Sequence, residues 1–573
     1  MKKEWKIFAP ISPEVACDLG EYNPILKQLL YNRGIQDSNQ ANSYLNMSGS
    51  LHDPKSILGM NEAVERIWKA IDSGEDIAVY GDYDVDGVSS TALLVQAIEK
   101  LGGKVSGYIP NRFDEGYGLN TEALDDLKNK EVKLVITVDC GIRSLVEARY
   151  AREIGLDLII SDHHEPKGGN IPQAIAVICP KQKDDLYPEK NLAGVGLAYK
   201  IVQALQNDRQ ESGLDADRWL DLVAVGTVAD MVPLTGENRA LVKKGLMILK
   251  SGSNQWVSSM LATAGIAFNN ITARDIGFVI GPRLNAAGRL ESAMKAFNLL
   301  MVEDITKIGY LVQVLGDQNT ERQRKTREMF EEAENNYKNT WQDHIITTAS
   351  EKYEMGIVGL VASRLVDAHY RPVVVGSIDY EKGTIRASCR SIPEIHITKA
   401  LDQCSDLFMR HGGHAMAAGF TIRTDKFPEL EMRLREIVQQ QLAGRELIPV
   451  YVADMEIDLK KISEESNNSI NGIKDIMAAI DCLEPTGMDN RGVLFVSRNF
   501  TIKKKKAVGE NKNHLSLSLY DGRSYHQAIA FRQGELISKL SDKVDVLYSL
   551  EKNMYNGEER LQLNVKDIRN SNE

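Results

Sequence analysis

Four short runs of this chain are apolar but for Thr137: Ile77 to Tyr80, Leu134 to Val138, Leu158 to Ile160 and Ala174 to Ile178, with helix-length segments between them. A strand with one solvated face alternates polar and apolar residues. Runs without alternation therefore predict strands covered on both faces, that is, a parallel sheet in an α/β domain. In such sheets ligands bind beyond the carboxyl ends of the strands. The residues just past each run are Asp82, Asp84 and Asp86 after the first, Asp139-Cys140-Gly141 after the second, and Ser161-Asp162-His163-His164 after the third. Asp230 closes a further apolar stretch, Trp219 to Ala229. Acid or imidazole at four of these five ends, the run to Ile178 being followed by Cys179, is far less expected by chance than at any single one.

The first of these ends is the most strained. Tyr80 to Gly87 carries three carboxylates at alternate positions and no Lys or Arg. Two carboxylates ~4 Å apart repel by roughly 4 kcal/mol at an effective dielectric of ~20. Protonation, basic partners or a cation must relieve that, unless the run is a water-solvated loop. If the strand ends converge, the inventory is several carboxylates and two histidines without a thiolate, which suits Mn²⁺ or Mg²⁺. Five or six ligands exceed the need of one ion. Two ions ~3.5–4 Å apart, bridged by one carboxylate, fit better and are the arrangement that hydrolyses phosphoesters. Asp139 is the candidate bridge. A dinucleotide site is excluded, because Gly81 and Gly87 do not complete a G-x-G-x-x-G motif and three aspartates would oppose a pyrophosphate. Gly194-Val195-Gly196 is too short for a phosphate loop and points to close backbone packing.

At 573 residues the chain has room for three or four domains, and 43% hydrophobic with 26% charged residues is an ordinary globular composition. No apolar run is long enough to span a bilayer, and no apolar signal core follows the first residues, so a cytoplasmic protein without a membrane segment is expected. Six scattered cysteines without a C-x-x-C pair point to reduced thiols and away from structural zinc. The net charge of −11 argues against coating nucleic acid through a global positive field, but leaves a local groove open. Residues 1–70 read as a helical preface, in which Asn23-Pro24 and Asp37-Ser38 open helices. The α/β domain occupies 71–310. A charged stretch, 311–340, reads as a long connecting helix whose arginines mostly pair with neighbouring glutamates. A second α/β unit, 341–446, has Pro372 to Val375 as a strand and Arg410 to His414 as a loop. The remainder, 447–573, alternates polar and apolar residues around an Asp521-Gly522 turn and reads as a small β-barrel.

The series Gly81-Asp82-Tyr83-Asp84-Val85-Asp86-Gly87, Val138-Asp139-Cys140-Gly141, Asp162-His163-His164 and Gly226-Thr227-Val228-Ala229-Asp230 resembles the DHH phosphoesterase superfamily in order and spacing. Within it, Gly281 to Leu290, Gln318 to Gln323 and His411-Gly412-Gly413-His414 resemble the bacterial single-strand-specific DNA exonucleases. The resemblance covers nearly the whole chain. It implies a DHH-type parallel-sheet domain joined by a long helix to a DHH-associated α/β domain, plus a C-terminal OB-type barrel. It also implies two divalent cations, Mn²⁺ or Mg²⁺. Asp84 and Asp139 would serve one ion, and Asp86, Asp139, His163 and Asp230 the other; Asp82 belongs to the same motif as ligand or neighbour. His164 would face the scissile phosphate. Tyr80 stands where some superfamily members carry a histidine, and Thr486 follows Pro485 where Phe is usual.

The same resemblance implies a terminal-phosphate site at Ser388 and Arg390 with Arg112 as companion, and backbone-phosphate contacts from Arg283 and Arg289. Arg283 and Arg289 could instead tie the domain to the connecting helix. His411 and His414 either contact phosphate or cap a helix, and Lys503 to Lys506 add affinity for single strands or form a solvated edge. The expected activity is two-metal hydrolysis of single-stranded DNA from its 5′ end to mononucleotides, in repair and recombination. The expected enzyme is monomeric, served by a helicase and a single-strand-binding protein. A hydrolase of short oligonucleotides and a catalytically dead scaffold are the alternatives; intact Asp84, Asp86, Asp139, His163 and Asp230 count against the scaffold.

Overall fold

The computed structural model describes residues 3–47, 51–111, 115–116, 118–338, 344–460, 469–509, 511–555 and 558–571. A strand, β1 (Glu4–Ile7), precedes short helices at Pro13–Asp18, Pro24–Tyr31 and Ser38–Asn46, the last two capped by the Asn23 and Asp37 side chains as their sequences require. The first sheet follows: β2 (Asp76–Gly81), β3 (Lys104–Tyr108), β4 (Leu134–Val138), β5 (Asp157–Ser161) and β6 (Ala176–Ile178). All its pairings are parallel, in the order β3-β2-β4-β5-β6, and separate apolar cores cover its two faces. Chain direction across the sheet reverses between β2 and β4, so the switch point lies between the ends that carry Asp82 to Asp86 and Asp139. β3 was not legible as a strand: it is an edge strand of sequence Lys-Val-Ser-Gly-Tyr, and Gly107 is needed because a Cβ there would meet the Phe297 ring at 2.5 Å. The apolar stretch ending at Asp230 is a helix, Leu220–Asp230, whose first eight residues are all buried, which is why it shows no amphipathic period.

A 34-residue helix, Ile305–Lys338, about 51 Å long at 1.5 Å per residue, leads to the second sheet. This comprises β7 (Ile346–Ser350), β8 (Val373–Asp379), β9 (Thr384–Arg390), β10 (Phe408–Gly413) and β11 (Ala417–Arg423), in the order β10-β11-β9-β8-β7. The expected loop at Arg410 to His414 is therefore mostly strand. β10 pairs antiparallel with β11, His411 opposite Phe420. Two consecutive glycines suggested a loop, but Gly413, at φ 150°, is what admits the neighbour: a Cβ there would lie 2.4 Å from Ala418 Cα.

The last unit contains β12 (Val450–Ala453), β13 (Met455–Glu456), β14 (Phe495–Val508), β15 (His514–Tyr520), β16 (Tyr525–Ala530), β17 (Lys543–Tyr555) and β18 (Glu558–Asn570). β14, β15, β16, β18 and β17 form a barrel closed by the β14–β17 pairing. Lys503 to Lys506 are all exposed, because this end of β14 runs past β17 and pairs only with β15. β1 pairs in parallel with β12, and the N-terminal helices share one core with the barrel.

One buried contact fixes the barrel to the first domain. Arg239 donates to the carbonyls of Leu483 (2.8 Å) and Pro485 (3.0 Å) and lies over the Tyr44 ring at 4.0 Å. Asn490 bonds the same two carbonyls and accepts from Tyr44 and Arg33. The Leu234 amide donates to Met488 O at 2.8 Å.

Candidate metal centre and active site

The turn after β2 is set by glycine. A Cβ at Gly87 would lie 2.5 Å from the Asp82 backbone, and one at Gly81 would collide with Thr91 Oγ1. Asp84 caps the helix Val85–Lys100, its Oδ1 accepting from the amides of Asp86 (2.9 Å) and Gly87 (3.2 Å). Asp86, in the first turn, is buried and accepts from the amides of Gly194 (2.7 Å) and Val195 (2.8 Å), which open the helix Gly194–Asp208. That helix terminus orients the carboxylate and partly offsets its charge. Asp139 follows β4 in the left-handed region, at φ 60°, and is buried. Asp162, after β5, accepts from the Ile142 amide (2.9 Å), the His164 amide (3.0 Å) and His164 Nδ1 (2.7 Å), so one carboxylate ties the turn bearing Asp139 to the His-His pair.

These turns converge. His163 Nε2 lies 3.1 Å from Asp139 Oδ1, 3.6 Å from Asp230 Oδ2 and 4.0 Å from Asp86 Oδ2. Three sets have ligand atoms within 4.8 Å of one another: Asp82, Asp84 and Asp139; Asp86, His163 and Asp230; Asp139, His163 and His164. Asp139 joins the first set to the last. Asp139 Oδ1, Asp230 Oδ2 and both ring nitrogens of His163 are buried without a hydrogen-bond partner. Burial, then the charges of Asp230 and Asp84, pushes the Asp86 carboxyl well above its ordinary value; burial and four neighbouring aspartates do the same to Asp139. Burial and Asp84 push Asp230 up to about 7. Burial holds His163 down to about 3, so its ring is a neutral base with a lone pair to offer. Burial also opposes charge on His164, but its bond to Asp162 prevails and raises it. Buried carboxylates with orphaned oxygens, beside a neutral imidazole, are a donor set that fits hard divalent cations.

Family models match in three places: the DHH family N-terminal domain over residues 76–227, the DHHA1 domain over 342–442 and the RecJ OB domain over 453–567. The chain is 36% identical to the single-stranded-DNA-specific exonuclease RecJ of Bacillus subtilis (strain 168), over 99% of its own length and 71% of the relative's. It is 31% identical to RecJ of Escherichia coli (strain K12), over 96% of each chain. The chain belongs to the RecJ family. The fold agrees: the crystal structure of RecJ from Thermus thermophilus in complex with Mn²⁺ superposes with a TM-score of 0.81 at 28% identity, covering 99% of this chain and 79% of that one. The Mg²⁺ complex gives 0.75 at 27%, covering 99% and 78%.

The other residues that RecJ-type motifs single out lie away from the cluster. Arg390 donates to Ser388 Oγ (3.0 Å), and both reach Gly359 in the first turn of the helix Val358–His369: a Cβ on Gly359 would lie 3.1 Å from Ser388 Oγ and 3.2 Å from Arg390 Nη2. Arg283 donates to Val279 O and Arg289 to Gly356 O, the latter binding the first domain to the second. His411 pairs with Asp402 at 2.9 Å, and His414 is exposed. Arg112 lies outside the described residues. Tyr80 spends its hydroxyl on Gly118 O (3.0 Å) and on Asn120 (3.2 Å), away from the carboxylates. Sequence reasoning expected close packing at Gly194 but not what it packs against, and it missed Gly226 and Asn285 as supports of the cluster. Gly194 is required because a Cβ there would lie 2.7 Å from Asp139 Cβ, Gly226 because one would lie 3.0 Å from Asp86 Oδ1, and Asn285 accepts from the Val85 amide. Gly-Val-Gly at a helix start was the signal for the first.

Proposed function

We propose that this chain is a metal-dependent exonuclease that removes mononucleotides from the 5′ end of single-stranded DNA, with a part in repair and recombination. The observation that carries the reading is the convergence of Asp82, Asp84, Asp86, Asp139, His163 and Asp230 from four segment ends, with oxygens and ring nitrogens left unbonded. Asp82, Asp84 and Asp139 would hold one divalent cation, and Asp86, Asp139, His163 and Asp230 a second, with Asp139 between them. Mn²⁺ or Mg²⁺ bound there supplies a nucleophile at neutral pH and neutralises charge on the phosphoryl group. The protein's own part is positioning. Helix caps and backbone amides fix Asp84 and Asp86 before substrate arrives, and Asp162 fixes the ring of His164, which donates to a phosphoryl oxygen and stabilises its growing charge.

Ser388 and Arg390, at a helix N-terminus, suit a terminal phosphate, with Arg112 as companion. Arg283, Arg289, His411 and His414 are read as backbone contacts, and the exposed lysines of β14 as added grip on the strand. We read the enzyme as a monomer. We place it in the cytoplasm, served by a helicase and a single-strand-binding protein, with residues 71–310 as the catalytic domain, 341–446 as its DHH-associated partner and 447–573 as the barrel.

The test offers 5′-labelled strands, 3′-labelled strands and a dinucleotide with Mn²⁺. Early release of the 5′ label as mononucleotide from long strands is expected. Preference for the dinucleotide would identify a short-oligonucleotide hydrolase instead, and binding without hydrolysis by any divalent ion a scaffold.

A further inference from the structure

Of the residues assigned to the ions, Asp230 alone is carried at the last position of a helix, Leu220–Asp230. The final carbonyls of a helix have no helical partner, and the last turn frays unless something beyond it holds it. Here the first eight residues are buried, whereas Val228, Ala229 and Asp230 are half-buried. The cap is weak: the Met231 amide reaches Val228 O only at 3.4 Å, longer than an ordinary N–H···O bond. Met231 itself lies in the left-handed region, at φ 63°, with its side chain 65% exposed. A residue with a side chain keeps that conformation where its surroundings impose it. Asp230 Oδ2 is buried without a hydrogen-bond partner, so the backbone has to aim that oxygen.

The hold lies just beyond Met231, and part of it comes from the barrel unit. Leu234 is buried, and its amide donates to Met488 O at 2.8 Å. Its side chain fills the space beside Gly487, where a Cβ would lie 2.7 Å from Leu234 Cδ1. The preceding carbonyl, Pro233 O, accepts from the buried Asn238 Nδ2 at 3.1 Å. Asn238 belongs to the helix Gly236–Lys250, which packs so closely on Leu220–Asp230 that a Cβ on Gly245 would lie 2.1 Å from Leu220 O. Arg239, next on that helix, binds the carbonyls of Leu483 and Pro485. The two helices are thus locked together, and the segment between them is pinned on the barrel side at Leu234.

Four residues, Met231 to Leu234, link the carboxylate to that pin, and four residues reach at most about 14 Å even when fully extended. A shift of the barrel against the first domain is therefore passed to Asp230 rather than absorbed. We propose that Leu234 is a positioning residue for Asp230, and that docking of the barrel at Gly487 and Met488 sets the affinity of the second ion. The site at Asp86, Asp139, His163 and Asp230 then depends on the barrel, whereas the site at Asp82, Asp84 and Asp139, built on turns after β2 and β4, does not. The proposal rests on the reading of the cluster as a two-metal centre.

The experiment titrates the full chain with Mn²⁺ in the absence of DNA and follows loss of the electron paramagnetic resonance signal of the free ion. The parent is expected to take up two ions. Leu234→Ala, on the first-domain side of the contact, and Gly487→Val, on the barrel side, are each expected to weaken one of the two about tenfold and to leave the other unchanged. Leu234→Met refills the space and is expected to bind as the parent does. In an Asp230→Asn background the ligand is gone, so Leu234→Ala is expected to add no further loss; a merely structural role would not vanish with the aspartate. Phe500→Leu, buried in the barrel core, is expected to change neither affinity. Far-UV circular dichroism matched to the parent excludes misfolding, and Gly487→Val decides the matter should Leu234→Ala fail to fold. Parental affinities in Leu234→Ala and Gly487→Val overturn the inference while leaving the two-metal reading intact, as does an equal weakening of both ions or a loss undiminished in the Asp230→Asn background. Failure of the parent chain to bind Mn²⁺ overturns both.

Discussion

Asp230 offers a measurement of how far the carboxylate cluster is strained without its ions. In the metal-free protein its carboxyl is pushed up to about 7, by burial and then by the charge of Asp84. The unfolded chain releases this proton near the ordinary value of about 3.9, so between pH 4 and 7 the folded state holds one proton more, and stability falls as pH rises through that window. Three pH units at 1.36 kcal/mol each give an upper bound of about 4 kcal/mol, and the partial exposure of the side chain reduces this to about 2–4 kcal/mol. His163 works the other way: its pKa, held down to about 3, makes stability rise with pH up to the unfolded value, so the raw pH profile of the parent mixes two opposed slopes.

The difference between parent and Asp230→Asn isolates the aspartate. In EDTA the variant is expected to match the parent near pH 4.5 and to exceed it by about 2–4 kcal/mol at pH 8, roughly 5–15 °C in the melting temperature of a domain of this size. Saturating Mn²⁺ should reverse the order at pH 8, because the ion takes the deprotonated ligand and stabilises only the parent. A difference independent of pH, or a variant less stable than the parent at pH 8 in EDTA, refutes the reasoning.

Other perturbations follow from the same geometry. Gly194→Ala places a methyl 2.7 Å from Asp139 Cβ and should cost about 1–3 kcal/mol while abolishing the Mn²⁺-induced rise in melting temperature. Asp162→Ala retains the metal ligands but loses the grip on His164 Nδ1; hydrolysis should fall about 10–100-fold with the Mn²⁺ shift preserved. Asp139→Ala should abolish hydrolysis and leave strand binding largely unchanged in an anisotropy assay; equal loss of both would remove Asp139 from its bridging place. Arg239→Met leaves the carbonyls of Leu483 and Pro485 to Asn490 alone and removes two charge-assisted hydrogen bonds; it should cost about 1–3 kcal/mol of barrel docking, seen as a separate, earlier calorimetric transition.

What could be read in advance was what depends on local pattern. Apolar runs without alternation gave β2, β4, β5 and β6, and the acids and histidine after the first three, with Asp230 at a helix end, gave the cluster. β3 was invisible because an edge strand need not be apolar, and β10 because Gly412-Gly413 carries the same letters in a strand as in a loop. The supports of the site were the least legible. Asp86 is held by two amides more than a hundred residues away, and a backbone N–H leaves no trace in residue identity. The long helix was legible as a helix, but of its arginines, expected mostly to pair with neighbouring glutamates, only Arg324 does so among the described residues. That Arg322 and Arg327 lack carboxylates among the described residues depends on what packs beside them, which spacing along one helix does not encode.

The pairing of β1 with β12 has a consequence in time. Glu4 to Ile7 finds its partner at Val450 to Ala453, and the helices behind it complete their core only against barrel residues later still, such as Phe495 and Tyr548. At about 5–20 residues per second, synthesis takes roughly half a minute to a minute and a half to reach that partner. During that interval β1 is an unpaired edge beside unfinished apolar helices, while the strands of the first sheet are complete by Ile178. A segment made well before the barrel is thus buried only once the barrel is made. Overproduction faster than the cell can shield it should yield aggregates seeded by the segment Glu4–Asn46, around a first domain that is itself correctly folded.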